Sequence, residues 1–272
     1  MSRHLIALGE YLRARRDVTT PEEVGLPSQA GRRVPGLRRD EVALLAGISP
    51  EYYLRLEQGR GARPSDQVLH AIARALLLDQ ESRLYLLRLA TGSPPPTARD
   101  ADRVAEQIAR VLSRWPHTPA YMSDQHRDIV AANPLATAFG HGGLSAGSNE
   151  VVRLFNDRMK ASLVEWEAMT RSAVATLRRD AHPDSPRLRE IVDQLSADPD
   201  FARMWARHDV SGPEDAVFHI AVDGVGEIEV EGQNFAVRSL PGYQLTVMAA
   251  PPGSITESVF SRMSTALTAA TA

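Results

Sequence analysis

Hydrophobic residues recur at helical spacing through the first 92 residues. The positions that would share one helical face fall into four groups, which are Leu5, Leu8 and Leu12; Val42, Ala43 and Ala46; Val68, Ile72 and Leu76; and Leu84 and Leu87. With one more helix after Gly47, this pattern predicts five short helices. The stretch from Pro21 to Gly36 is rich in proline, glycine and arginine, and it predicts a loop between the first two helices.

The pattern becomes mixed after residue 100. An amphipathic helix is predicted by the apolar positions Val104, Ile108, Val111, Leu112 and Trp115. Further helical periodicity covers residues 163–177, 188–195 and 201–208. Asn133-Pro134 predicts the start of a brief helix that ends near Phe139-Gly140, and Asp198-Pro199 is a second start signal of this kind.

Alternation of apolar and polar residues predicts strands in the same part of the chain. The segments with this pattern are 120–123, 129–132, 227–231 and 243–247. The second part is therefore predicted to be an α+β domain with an antiparallel sheet. Three consecutive prolines within Thr91–Thr97 separate it from the helical part. We predict a helical domain over 1–92, a linker over 93–99 and the α+β domain over 100–272.

The segment from Arg39 to Glu57 has the features of a helix-turn-helix unit. Gly47 stands where the first helix would end in a left-handed residue, and Ile48 would fill the corner of the turn. Ser49 can cap the next helix, with Pro50 in its first turn. An αα-hairpin in a helical bundle has similar spacing, but the arginine-rich loops on both sides favour DNA binding.

The residues expected to contact DNA follow from this geometry. Tyr53 and Leu56 would face inward, which leaves Glu51, Tyr52, Leu54 and Arg55 to read base edges from the recognition helix. The residues expected to position that helix by capping it or by contacting phosphates are Ser49, Arg38, Arg39, Arg60 and Arg63.

Composition excludes several classes of function. The chain has 272 residues and 43% hydrophobic residues, which is typical of a globular protein. There is no cysteine, and the eight histidines never form HxxH or HExxH, so we expect no metal site. No apolar run could span a membrane, and residues 1–16 carry charges where a signal peptide would be apolar. These features predict a cytoplasmic protein.

Charge alone does not establish nucleic-acid binding. Residues 1–92 contain 14 arginines and 11 acidic residues, while the whole chain has a net charge of -3. The arginine excess suits phosphate contacts, but a general compositional bias towards arginine explains it equally well.

The two halves together resemble a known family. The stretch from Arg32 to Arg60, RRVPGLRRDEVALLAGISPEYYLRLEQGR, is similar to the signature of Xre-type helix-turn-helix regulators of the MmyB-like group. Thr118–Tyr121, Ala132–Pro134, Phe139-Gly140 and Pro199–Val210 are similar to the ligand-binding domain of that group. The resemblance weakens over 141–147 and over 216–232, where a strand pair that is usually basic is more acidic.

This resemblance implies a fold and a ligand. The first domain would be a lambda-repressor-like bundle, and the second would be a PAS-like domain that binds a fatty acid or a similar amphiphile. Such a sensor needs an apolar cavity and a group that holds the head of the ligand. The candidates for the cavity wall are Phe139, Leu154, Phe155, Trp166, Met169, Met204 and Trp205, and those for the head group are Arg203, Arg207 and His208.

Other interpretations of these residues remain open. Aromatic residues and methionines at helical spacing are also typical of an ordinary core, and His208-Asp209 could form a cap at a helix end, where the helix dipole favours a charged histidine. The second domain could also serve only for dimerisation or for docking a partner protein.

A serine hydrolase is a further alternative. Gly143–Gly147 matches G-x-S-x-G around Ser145, with Asp209 and His219 downstream. The required strand before the serine and helix after it are not predicted, so we expect no enzyme activity. No nucleotide-binding glycine motif is present either, and we expect no cofactor. The sequence thus predicts a regulator that binds a pseudo-palindromic operator as a homodimer and senses a hydrophobic small molecule.

Overall fold

The first domain consists of five helices around one apolar core. The computed structural model describes residues 3–27, 34–92, 101–140, 143–212, 214–237 and 242–271. The helices of the first domain are α1 (Arg3–Val18), α2 (Arg39–Ala46), α3 (Pro50–Glu57), α4 (Asp66–Ala75) and α5 (Gln80–Thr91). The predicted number of helices is confirmed. The predicted loop contains a 3-10 turn, Glu22–Val24, and the predicted linker 93–99 lies outside the described residues.

Helix α1 crosses α3 at very short range. A Cβ atom on Gly9 would lie 2.4 Å from the carbonyl oxygen of Glu57, so only glycine allows this approach. The side chains of Leu8, Tyr11 and Tyr53 are fully buried around the crossing. Burial of such side chains is the main source of stability for helices this short.

The second domain combines an antiparallel sheet with helices. Its strands are β1 (Ala120–Ser123), β2 (Ile129–Ala132), β3 (Ala216–Val222), β4 (Gly226–Ala236) and β5 (Gln244–Ala249), in the order β2-β1-β5-β4-β3. Its helices are α6 (Ala101–Leu112), α7 (Pro134–Phe139), α8 (Glu150–Leu154), α9 (Asp157–Ser162), α10 (Trp166–Asp180), α11 (Pro186–Leu195), α12 (Pro199–Ala206) and α13 (Ile255–Thr271). The predicted α+β class and antiparallel sheet are confirmed.

Helices cover both faces of this sheet. Leu112 of α6 packs with Ala120 and Met122 on one face, whereas α7 and α13 pack on the other. The apolar stripe predicted for α6 extends too far, because Val111 is 49% exposed and Trp115, which follows the helix, is 37% exposed. None of the helices in the described ranges is both long enough and apolar enough to cross a membrane.

Several elements differ from the sequence prediction. Helix α10 begins at Trp166 instead of residue 163, because Leu163 is extended and forms a β-bridge with Ile220. Helices α8, α9 and α13 were not predicted by periodicity. The first two have five and six residues, which is too short for a helical repeat to be recognised.

The two domains contact each other through charged and apolar side chains. Val210 of the second domain is buried in the core of the first. An ion pair joins Arg15 to Asp209 at 3.5 Å, and a second joins Glu81 of α5 to Arg179 of α10 at 3.1 Å. The second domain is therefore packed directly against α1 and α5.

Candidate DNA-binding surface and ligand cavity

The turn between α2 and α3 has the local geometry expected from its sequence. Gly47 is left-handed at φ +66°, and the Ser49 hydroxyl accepts a hydrogen bond from the Tyr52 backbone N–H at 3.1 Å. Pro50 occupies the first position of α3, where a missing N–H is harmless. These features begin α3 at a defined residue and fix its orientation relative to α2.

A buried charge cluster supports α3 from behind. The Glu57 side chain is fully buried, and its two oxygens accept hydrogen bonds from Arg16 Nε and Arg39 Nε, both at 2.6 Å. Arg16 also donates to the Leu37 carbonyl oxygen at 2.9 Å. Burial lowers the pKa of Arg16, but the Glu57 carboxylate outweighs it and the pKa rises overall. The cluster thereby connects α1, α2 and α3.

The predicted base-reading side chains lie on the outer face of α3. Glu51, Leu54 and Arg55 are exposed, and Tyr52 is half-buried. The Arg55 guanidinium lies 5.6 Å from the centre of the Tyr52 ring, a distance at which a cation and an aromatic face attract. This face offers both acceptors and donors to base edges.

The predicted phosphate-contacting arginines differ in how they are held. Arg38 and Arg60 are exposed, while Arg63 pairs with Asp66 at 3.1 Å. The side chain of Arg39 is 46% exposed even though its Nε contacts Glu57. Arg39 can therefore contact a phosphate while it also supports the helix.

A cavity of about 350 Å³ lies between the sheet and the helices of the second domain. Its apolar wall comes from six helices and strands, the turn between α7 and α8, and the segment after α9, and it includes Phe139, Leu144, Leu154, Met159, Leu163, Met169, Phe218, Ile220 and Met248. Its size and lining are typical of a site for a small hydrophobic molecule.

The cavity also has a polar end built on α8. Tyr121 donates from its hydroxyl to Glu150 Oε1 at 3.1 Å, whereas the buried Oε2 of Glu150 has no hydrogen-bond partner in the described part of the chain. Arg153 lines the same cavity, and burial lowers its pKa. Its guanidinium makes no hydrogen bond or ion pair with any residue that the structure describes.

The second arginine of the cavity is already paired. Arg127 donates from Nη1 to Gln244 at 2.7 Å and from Nη2 to Asp180 at 3.1 Å. Asp180 in turn accepts from Arg179 Nε at 2.7 Å, and Arg179 donates to Glu81 of α5 at 3.1 Å. A continuous chain of charged hydrogen bonds thus joins the cavity to the first domain.

Only part of the predicted ligand site lies at this cavity. Phe139, Leu154 and Met169 line it, and Trp166 packs beside it and donates from Nε1 to the Leu154 carbonyl oxygen at 2.6 Å. The other predicted wall residues belong to a separate core formed with Phe201, and they are Phe155, Met204 and Trp205.

The three residues predicted to hold the head group do not line this cavity. Arg203 forms a two-point ion pair with Glu167 at 2.7 and 2.8 Å on the surface. Arg207 pairs with Asp209 at 2.7 Å. Arg203 on α12 and Arg207 directly after it thus lie away from the cavity, because helical spacing gives the separation of side chains but not the face that meets the cavity.

His208 lies in a smaller cavity between the domains. This space of about 220 Å³ is also lined by Tyr85 of the first domain and by Arg178 and Trp205 of the second. Burial and the neighbouring Arg178 lower the pKa of His208 to about 4. His208 does follow the end of α12 in a left-handed conformation, as a cap at a helix end would, but its lowered pKa favours a neutral ring at pH 7 instead of a charged one.

Arg153 and Glu150 are the functional candidates that the sequence analysis missed. Asn149 caps α8 by accepting hydrogen bonds from the N–H groups of Val151 and Val152. An asparagine cap followed by a single cation among apolar residues is the signal that could have indicated this short helix and its buried charge.

The hydrolase residues are held by separate partners. His219 contacts Glu165 at 2.7 Å and Glu229 at 3.5 Å, while Asp209 contacts Arg207 and Arg15. Ser145 lies in a turn between α7 and α8, without the strand and helix that a nucleophile elbow requires.

One group of side chains could in principle bind a cation. Asp124, His126 and Asp128 place ligand atoms within 4.8 Å of one another. However, Arg187 already holds Asp128 through two hydrogen bonds of 2.7 Å, and His126 Nε2 contacts Ser185 at 2.7 Å. These contacts give the cluster a structural role between β1, β2 and α11.

Two family models match the chain. The model described as "MmyB-like transcription regulator ligand binding domain" matches residues 104–263, and the model described as "Helix-turn-helix domain" matches residues 7–86. No curated protein matches the sequence significantly. The first match covers more than half of the chain and contains the cavity, and the second contains α3 with its supporting charges.

Proposed function

The chain belongs to the family of MmyB-like transcription regulators, and from this premise we propose that a fatty acid or a similar amphiphile binds in the 350 Å³ cavity and changes the affinity of α3 for a DNA operator. The family establishes a regulator with a DNA-binding domain and a ligand-binding domain. The chemical class of the ligand and the coupling between the domains are our inference.

The state of Arg153 carries this proposal. A cation that loses water without gaining a partner is costly, and the lowered pKa of the half-buried Arg153 reflects that cost. A ligand carboxylate would supply the missing charge and hydrogen bonds, while its hydrocarbon chain would lie against Phe139, Leu154 and Met169. An amphiphile therefore satisfies both the polar end and the apolar wall.

DNA recognition is assigned to the outer face of α3. Glu51, Tyr52, Leu54 and Arg55 would enter the major groove, where base edges differ in their donors and acceptors. The exposed arginines beside α3 would contact phosphates and fix its register. A homodimer would place two copies of α3 about one helical turn of DNA apart, on a pseudo-palindromic operator.

The chain of hydrogen bonds from Arg127 to Glu81 is the proposed route of coupling. A ligand in the cavity lies against Arg127, and a change in the Arg127–Asp180 contact reaches α5 through Arg179. Such a ligand alters DNA affinity only to the extent that it binds the DNA-competent and DNA-incompetent arrangements differently.

We assign no catalytic step to the chain, since the partners of His219 and Asp209 do not include Ser145. A second domain that only docks a partner protein would have no reason to leave Arg153 facing an apolar cavity. The arrangement favours a sensor that acts in the cytoplasm with its DNA.

Mass spectrometry of an organic extract from the purified full-length protein tests the proposal. We expect an acidic amphiphile in the extract of the wild type and much less in that of Arg153→Gln. After removal of lipid, added tetradecanoic acid at 100 times its Kd should stabilise the wild type by about 2.7 kcal/mol, which corresponds to a rise in Tm of several degrees.

Arg203→Gln is the matched control, because Arg203 lies on the surface and pairs with Glu167. This variant should keep the ligand and its thermal stabilisation. The proposal is overturned if the extract is empty and no acyl compound raises the Tm, or if Arg153→Gln binds the acid as tightly as the wild type.

A further inference from the structure

The polar end of the cavity contains one hydrogen-bond acceptor and one hydrogen-bond donor group that lack partners in the described part of the chain. Glu150 Oε2 is buried and lacks a donor, and the Arg153 guanidinium lacks an acceptor, within the described part of the chain. An ionised carboxylate only accepts hydrogen bonds and a guanidinium only donates them. Buried polar atoms are almost always paired in native proteins, so the buried Oε2 indicates a missing donor, and the half-buried Arg153 on the same helix offers donors to the same ligand.

Glu150 and Arg153 do not satisfy each other. Both line the cavity from α8, yet no ion pair within 4.0 Å joins them in the part of the chain that the structure describes. Residues three apart on a helix have Cβ atoms about 5–6 Å apart. Two different atoms of one ligand, a few bonds apart, could therefore reach both groups.

Two other charged groups of the cavity, Glu165 and Arg127, already have partners. Glu165 accepts from the His219 backbone N–H at 2.8 Å and contacts the His219 ring at 2.7 Å. Arg127 is bound to Gln244 and Asp180 through its two terminal nitrogens, and only its buried Nε has no hydrogen-bond partner in the described part of the chain. The head group is thus directed to Glu150 and Arg153 rather than to these pairs.

A simple fatty acid meets only one of the two needs. Its carboxylate accepts from Arg153, but it brings a second negative charge close to Glu150 and offers no donor to Oε2. We propose that the ligand is a hydroxy acid, whose carboxylate accepts from Arg153 and whose hydroxyl, near the carboxylate, donates to Glu150 Oε2. This inference rests on the proposed function and names the class of amphiphile that the cavity selects.

Isothermal titration of the lipid-free full-length protein tests this selection. The two probes are tetradecanoic acid and 3-hydroxytetradecanoic acid, which differ by one hydroxyl group. The wild type should bind the hydroxy acid at least about tenfold more tightly, because hydrogen bonds to charged groups are among the stronger ones. In Glu150→Gln the preference should fall to about twofold or less, and the plain acid should bind at least as tightly as it binds the wild type.

Glu167→Gln provides the matched control, since Glu167 is exposed and pairs with Arg203 outside the cavity. It should keep the preference of the wild type for the hydroxy acid. The ratio of the two affinities is the decisive readout, because a merely structural role of Glu150 would weaken both probes alike.

The outcomes separate this inference from the proposed function. Equal affinities of the wild type for both acids would overturn the hydroxy-acid inference and leave the amphiphile sensor intact. A preference that persists in Glu150→Gln would also overturn it, since another residue would then recognise the hydroxyl. Failure of both acids to bind would overturn the two proposals together.

Discussion

Two glutamates, the buried Glu57 of the first domain and the half-buried Glu150 of the second, have opposite surroundings. Glu57 receives hydrogen bonds from Arg16 and Arg39 on its two oxygens. Glu150 receives one from Tyr121 on Oε1, and its Oε2 has no partner in the described part of the chain. The hydrogen bonds behind the DNA-binding surface are thus complete within the chain, whereas those at the polar end of the cavity are not.

This difference separates a charge that stabilises the fold from a charge that is available to a ligand. Loss of one partner from a buried ion pair leaves the other charge unpaired and is strongly destabilising. Replacement of a charge that already lacks a partner removes little stabilising free energy when no ligand is bound. Substitution of Glu57 should therefore change mainly the stability, whereas substitution of Glu150 should change mainly the ligand affinity.

The largest expected effect is that of Glu57→Ala on stability. It would leave Arg16, which is almost completely buried, without its buried carboxylate partner and with only the exposed Asp17. We expect the free energy of unfolding to fall by about 3–5 kcal/mol, as measured by urea denaturation of the full-length protein. Glu51→Ala is the control, because Glu51 lies exposed on the same helix and its loss should change stability by less than about 0.5 kcal/mol.

The lipid-free Glu150→Gln variant provides the direct test of this comparison. It should unfold at nearly the same urea concentration as the wild type, or at a slightly higher one. If Glu150→Gln destabilised the protein as much as Glu57→Ala, the two glutamates would have equivalent roles, and the comparison would fail.

The next largest effect concerns DNA recognition, and it distinguishes the roles of Arg55 and Arg39. Arg55 is exposed on the outer face of the helix, so Arg55→Ala should reduce discrimination between operator and altered sequences by about 1–3 kcal/mol. Arg39→Ala should weaken binding to all sequences and lower the salt slope by about one unit. Fluorescence anisotropy at several salt concentrations measures both quantities.

Arg39 also contacts Glu57, so its variant needs a stability measurement beside the binding assay. Arg74→Ala is a suitable control, since Arg74 is exposed on α4 and outside the predicted surface. A salt slope of Arg39→Ala equal to that of the wild type would contradict a phosphate contact.

The smallest effect tests the contact between the two domains. His208 has a pKa of about 4 in the folded protein against 6.5 when unfolded, so the folded state binds its proton less readily. The stability due to the neutral ring is present above pH 6.5 and is lost as the pH falls towards 4. Between pH 7 and pH 5 this group should remove at most about 2 kcal/mol from the free energy of unfolding.

Urea denaturation of the wild type and of His208→Asn at both pH values measures this loss. Asparagine tolerates the left-handed backbone of this position, where φ is +51°. Arg178, Asp209 and Glu10 face the ring from the neighbouring elements and remain in both proteins. An equal loss of stability in the two proteins would show that His208 is not responsible. The pKa of His219 is shifted in the opposite direction, because its hydrogen bond with Glu165 raises it.

The DNA-binding surface could be predicted from sequence because its determinants are local. Gly47, Ser49 and Pro50 specify the turn and the start of α3 within four residues. The inward positions of Tyr53 and Leu56 follow from helical spacing alone. The strands β1 and β2 were also predicted at their observed bounds, since alternation is a local signal too.

The cavity could not be predicted in the same way, because its residues come from distant parts of the chain. Tyr121 and Glu150 meet across 29 positions, and Arg203 meets Glu167 across 36. No spacing rule indicates such pairs, so the sequence placed Arg203 and Arg207 at the ligand site, whereas the arginines that line the cavity are Arg127 and Arg153. Phe139, Leu154 and Met169 do line the cavity, because the cavity wall and the apolar core are continuous.

Val210 shows that the boundary between the domains along the sequence differs from the boundary between their packed cores. The residue follows the proline-rich segment by more than a hundred positions, yet its side chain is buried among those of the first domain. The two domains therefore share part of their cooperativity of unfolding, since opening either one exposes this side chain. A molecule that binds in the cavity and stabilises the second domain should therefore also protect helix α1 against unfolding. It would do so although the cavity lies far from the bases that α3 would read.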